Sequence, residues 1–141
     1  MAYLIQDGVM QEGVEVDTMD VKDVKVDDLK KYDGIIVGSP TYYGTMAAPI
    51  KDLFDKSIKL HGKLEDKVGG AFASSANVGG GNETTVMAIL QALLIHGMVV
   101  CGDHSGDHYG PVSIDKPDKR VQTNCARYGK RVAALTKQLH G

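Results

Sequence analysis

Four short apolar runs, each too brief for a helix, most constrain this chain. Residues 14–20, Val-Glu-Val-Asp-Thr-Met-Asp, alternate apolar with polar and read as a half-exposed edge strand. Gly34 to Gly38 is a compact apolar run, as expected of a strand covered on both faces. Val68 to Ala73 reads the same way, and Met98 to Cys101 supplies a fourth run. Helical patterns lie between them. Ala2 to Gln11 carries Ile5 and Val9 four apart, with Gly13 as a stop. Residues 46–58 put Ile50, Leu53, Phe54 and Ile58 on one face, with Pro49 in the first turn. Residues 83–96 place Val86, Ile89, Leu90, Leu93 and Leu94 at helical spacing behind Asn82 as N-cap. The last helix, Pro117 to Leu139, carries a seam of Val121, Cys125, Tyr128, Val132, Leu135 and Leu139. Lys119, Arg120, Arg127, Lys130 and Arg131 fall largely off that seam and read as its solvated face.

Strand–helix alternation with buried strands predicts an α/β domain, a parallel sheet covered by helices on both faces. The 141 residues fit one domain, and 43% hydrophobic content is enough for a core. A net charge of −2 with mixed signs gives no reason to expect nucleic acid or an anionic membrane as partner. No apolar run approaches the ~20 residues of a membrane span, and no signal peptide opens the chain. The two cysteines match no disulfide or CxxC pattern, so a cytoplasmic setting is expected.

In open parallel sheets ligands bind beyond the carboxyl ends of the strands, so the loops there come first. Gly38-Ser39-Pro40-Thr41-Tyr42-Tyr43-Gly44-Thr45 offers hydroxyls, flat tyrosine faces and a glycine that admits close backbone approach. Those are the requirements of a planar heteroaromatic ligand, and equally the makings of a turn with surface tyrosines. Ser74-Ser75-Ala76-Asn77-Val78-Gly79-Gly80-Gly81-Asn82 precedes a strongly striped helix. It reads either as an ordered loop whose N–H groups face carbonyl oxygens or an anion, or as a flexible connection. Neither loop is a Walker or Rossmann motif.

Together these residues resemble the flavodoxin-like fold, and within it the FMN-dependent NAD(P)H:quinone oxidoreductases of the tryptophan-repressor-binding-protein type. The resemblance rests on Gly38-Ser39-Pro40-Thr41-Tyr42-Tyr43-Gly44, on Ser74-Ser75, and on Gly79-Gly80-Gly81-Asn82-Glu83. His96-Gly97-Met98-Val99-Val100 and Tyr109-Gly110 also fit, and the likeness covers nearly the whole chain. It implies FMN as cofactor and NAD(P)H as co-substrate. It implies that Pro40, Thr41, Tyr42, Tyr43 and Gly44 line one side of the isoalloxazine, and that Ser75, Ala76, Asn77, Val78, Gly79 and Gly80 line its pyrimidine edge. Hydride would pass from a nicotinamide to the flavin and on to a quinone, with no side chain needed as acid or base.

Two departures accompany the resemblance. The family opens with a central strand and a Ser/Thr-rich phosphate loop, whereas Met1 here falls inside the first helix. The expectation is a three-layer flavodoxin-like domain whose first strand is missing, truncated upstream of Met1. A central strand buries about five apolar side chains at roughly 1.5–3 kcal/mol each, comparable to the ~5–15 kcal/mol stability of a domain. The family's flavin-side histidine aligns with Ile95 rather than His96.

Asp103-His104-Ser105-Gly106-Asp107-His108 holds metal-ligand residue types but reads as a loop bordering the flavin mouth, with Tyr109. The expected activity is two-electron transfer from NAD(P)H to a quinone-type acceptor. An electron-carrier flavodoxin and a flavin-free interaction module are the alternatives. The expected partners are a small-molecule acceptor, a redox protein or a second copy of the chain.

Overall fold

The computed structural model describes residues 1–141. Helices α1 (Ala2–Met10) and α4 (Lys119–His140) cover one face of a sheet; α2 (Ala48–Lys56) and α3 (Asn82–Ile95) cover the other. The sheet is built from β1 (Gly34–Tyr42), β2 (Thr45–Met46), β3 (Val68–Ser75), β4 (Val99–Val100) and β5 (Val112–Ile114), and 3₁₀ turns occupy Val21–Asp23, Val26–Lys31 and Ser57–Leu60. The order is β2-β1-β3-β4, with β5 also on β3. β1 and β3 run parallel from Gly34↔Val68 to Pro40↔Ser74. That register ends both strands at one level and puts the two loops that follow them side by side.

β4 and β5 share one edge of β3 at different heights. β4 pairs at Val68 and Gly69, β5 at Ala73 to Ser75. The chain between them leaves the sheet at Cys101 and returns at Val112. Ala71 is the gap in the ladder, and the Tyr128 hydroxyl accepts its N–H at 2.9 Å. Burial around that phenol pushes its pKa up to about 12.

The apolar seams form as their spacing requires. Val86, Ile89, Leu90 and Leu93 are buried between α3 and the sheet, and Val121, Cys125, Tyr128 and Val132 between α4 and α1. Burial pushes the Cys125 thiol up to about 11, which leaves it a small apolar group rather than a nucleophile. Leu94 and Leu139 are exposed, so each seam is one residue shorter than its pattern.

Several boundaries differ from the sequence reading. Residues 14–20 form no strand, and none of 14–19 joins a backbone hydrogen bond. Val14, Val16 and Thr18 still face inward, half-buried, and Asp17 accepts the Tyr32 hydroxyl at 2.8 Å. Alternation reports which side chains face the core; it does not report whether a neighbour lies within ladder reach. None does here: from Gly34 to Pro40 the other edge of β1 has no strand beside it. The strand expected over Met98 to Cys101 shrinks to Val99–Val100, and β2 and β5 are additional. Gly81, not Asn82, is the N-cap of α3; Asn82 is its first residue and accepts the Glu83 N–H.

The basic set on α4 is only partly a solvated face. Arg120 pairs with Asp107 and donates to the Val112 carbonyl, and Arg127 pairs with Asp103 at 2.8 Å. Arg131 donates to the Gly102 carbonyl. These guanidinium groups pin the segment between β4 and β5 to α4. A backbone N–H from Ser105, and then the two arginines, hold the nearly buried Asp103 carboxyl below its ordinary pKa.

Candidate functional site: two loops at the carboxyl edge of the sheet

The first loop is a tight hairpin. Tyr42 pairs with Thr45, so Tyr43 and Gly44 are a two-residue turn with φ of 48° and 79°. Two positive φ values define a type I′ turn, whose twist suits flanking strands. Gly44 adopts this freely, whereas Tyr43 is an L-residue in a left-handed conformation. Its ring stands wholly in solvent, and Tyr42 is 62% exposed. The base of the hairpin is fixed from below. The buried Ser39 hydroxyl accepts the Ala47 N–H at 2.8 Å and donates to the Pro40 carbonyl at 2.7 Å. That ties the start of the loop to the start of α2.

The second loop closes on itself. The Asn77 carbonyl accepts the Ser75 hydroxyl at 2.9 Å and the Gly80 N–H at 3.1 Å. The loop is therefore an ordered turn and not a loose connector. Ser75 is buried, and its carbonyl accepts the Asp115 N–H, which anchors the loop to the end of β5. Ala76, Asn77, Val78 and Gly79 are exposed, Val78 at 86%. A Cβ on Gly80 would lie 2.7 Å from the Asn77 oxygen, so its hydrogen side chain is needed by the loop's own closure.

The loops meet at their glycines, where a Cβ on Gly81 would lie 2.8 Å from Gly44 Cα. All eleven residues singled out in the sequence thus belong to two touching loops. Within that set, Tyr42, Tyr43 and Val78 present the exposed apolar surface, Ser75 is structural, and the Thr41 hydroxyl is turned toward Thr85 at 2.9 Å. Gly81, Thr84 and Thr85, which close the loops against each other, were not among those eleven. Gly81 belonged to the glycine run of the second loop, whereas the only sequence signal for Thr84 and Thr85 was their position at the first turn of α3.

Beside the loops is an open hollow of about 280 Å³ lined by Met1, Gly38, Ser39, Pro40, Phe72, Ser74, Asp115 and Pro117. Its one charged side chain is the carboxylate Asp115. The exposed tyrosines and open glycines fit a planar, polar-edged ring; the hollow supplies hydroxyls but no cationic side chain for a phosphate.

His96 lies elsewhere. α3 starts at these loops and carries His96 past its far end, about 21 Å away. There His96 is buried against the Ser57 hydroxyl at 2.7 Å, and burial holds its pKa below the usual 6.5. In the segment after β4, Asp103 and Asp107 are held by arginines, and no three His, Cys, Asp or Glu side chains converge on one point. No helix is long and apolar enough to cross a membrane.

Comparison with known proteins agrees with this geometry. The model of the NADPH-dependent FMN reductase family matches residues 25–109, which contain both loops. A flavodoxin of Clostridium saccharobutylicum is 33% identical over 99% of this chain and 89% of its own. An NAD(P)H dehydrogenase (quinone) of Bradyrhizobium diazoefficiens is 33% identical over 100% and 92%. Among solved structures, a flavodoxin, WrbA-like protein from Agrobacterium tumefaciens superposes with a TM-score of 0.78 at 25% identity, covering 97% of this chain and 87% of that one. An archaeal flavodoxin gives 0.76 at 28%, covering 96% and 87%. With two loops converging at the carboxyl edge of a parallel sheet, and a family model spanning both, this chain belongs to the flavodoxin-like NADPH-dependent FMN reductase family.

Proposed function

We propose that this protein binds FMN through the isoalloxazine ring and transfers two electrons from NAD(P)H to a quinone-type acceptor. The observation that carries the reading is the contact between the tyrosine hairpin and the glycine loop. Pro40, Thr41, Tyr42, Tyr43 and Gly44 form one wall, and Ser75, Ala76, Asn77, Val78, Gly79 and Gly80 form the other. Bound flavin supplies the hydride chemistry. The chain supplies orientation: tyrosine faces for stacking, and a glycine loop whose backbone can approach the ring's polar edge. Neither loop carries a carboxylate, imidazole or thiol, and the phenols of Tyr42 and Tyr43 are the ionisable side chains of these walls.

A second reading, an electron carrier, is favoured by the relatives named flavodoxin. The two separate in one experiment. The FMN-loaded chain is mixed with NADH or NADPH and a benzoquinone, and nicotinamide absorbance is followed. Steady oxidation that depends on both chain and quinone supports the enzyme. Flavin that is bound yet never reduced by either nicotinamide supports the carrier.

A further inference from the structure

Three threonines surround the point where the loops touch. Thr84 Oγ1 lies 2.7 Å from the Gly44 carbonyl oxygen and 2.9 Å from that of Gly81. Thr85 Oγ1 lies 2.8 Å from the Gly81 oxygen and 2.9 Å from Thr41 Oγ1. The Thr85 N–H also reaches the Gly81 oxygen, at 3.0 Å.

Giving each hydroxyl proton its shortest contact orders this cluster, in which Thr41 Oγ1 also lies 3.5 Å from the Gly81 oxygen. Each hydroxyl has one proton, and a carbonyl oxygen has two lone pairs. The N–H and hydroxyl of Thr85 fill the Gly81 oxygen. With the Thr85 proton committed there, its contact with Thr41 requires Thr41 to donate. The Thr84 proton is then left for Gly44, the shorter of its two contacts. Two bonds therefore cross between the loops: Thr41 to Thr85, and Thr84 to Gly44.

These two bonds differ in setting. Thr85 is fully buried, so its hydroxyl belongs to the folded core. Thr84 is exposed, and an exposed hydroxyl bond adds little to folding. Its effect is local. Gly44 is the second residue of the type I′ turn, so fixing its carbonyl fixes the Gly44–Thr45 peptide plane, where the turn that carries Tyr43 re-enters the second strand of the hairpin.

We propose that Thr84 is a positioning residue for the flavin. It holds the tyrosine wall at a set distance and angle from the glycine wall, and so selects one orientation of the ring between them. This rests on the flavin reading above.

The test compares Thr84→Val, which keeps the shape and removes the hydroxyl, with Thr84→Ser, which keeps the hydroxyl. FMN affinity is measured by quenching of flavin fluorescence, ring orientation by the visible circular dichroism of bound flavin, and folding by the urea midpoint. The expected result is an affinity about three- to tenfold weaker for Thr84→Val with an altered dichroism band and an unchanged midpoint. Thr84→Ser should return affinity to within about twofold of wild type. Wild-type affinity and dichroism in Thr84→Val would overturn the role of Thr84 and leave the flavin reading standing. A lowered midpoint that accounts for the weaker binding would reduce Thr84 to a structural residue. A folded wild-type chain that binds no FMN would overturn both.

Discussion

Gly81 does two jobs at one residue. Its φ of 91° is open to glycine and strained for any residue with a Cβ, and its missing side chain lets Gly44 approach. Gly81→Ala is expected to cost about 1–2 kcal/mol of stability from the backbone conformation alone. It should also part the two loops, so that flavin affinity falls further than the lost stability explains; urea denaturation and flavin titration on the same preparation separate the two effects. His96 makes the opposite kind of case, a residue whose chemistry serves folding. Its Nδ1 has no partner and its ring is buried, so the native state resists protonation. The unfolded imidazole titrates near 6.5, and the native one lower. Below that pH the unfolded chain binds more protons, and stability drops as pH falls. The urea midpoint should decline from pH 7 to pH 5, and His96→Phe should flatten the decline.

At the scale of elements, the sequence revealed what period and composition encode and missed what depends on neighbours. β1, β3 and the four helices were legible because each carries a run or stripe that only one element type buries. Residues 14–20 were misread because a strand is defined by its partner, and their alternation persists without one. β2 and β5 were missed because two or three residues carry no period. The candidate site was legible as two loops that the fold brings together, since small and hydroxyl residues directly follow apolar runs. The threonine bonds between the loops link residues some 40 positions apart and leave no local signal. The same dependence on distant partners gives a prediction for the interrupted edge of β3. Tyr128→Phe removes the only acceptor of the buried Ala71 N–H and should cost about 1–3 kcal/mol, read as a lower urea midpoint. Unchanged stability would mean that Ala71 finds another partner.

The whole molecule holds its two loops on strands of matched length, braces one from α2 through Ser39 and the other from β5 through Ser75, and welds them at the first turn of α3. Every one of these contacts braces the two loops against each other or against the sheet and its helices. No cationic side chain lines the adjoining hollow, where Asp115 is the one charged side chain. A single charge-assisted bond to phosphate is worth roughly 1.5–3 kcal/mol, about tenfold or more in affinity. Recognition centred on the ring therefore predicts little discrimination between FMN and riboflavin. The decisive measurement is a parallel fluorescence titration of the 141-residue chain with the two flavins. Both should bind with quenching, at affinities within about tenfold of each other. A folded chain that binds FMN and ignores riboflavin, or that binds neither, would contradict a site built on these two loops.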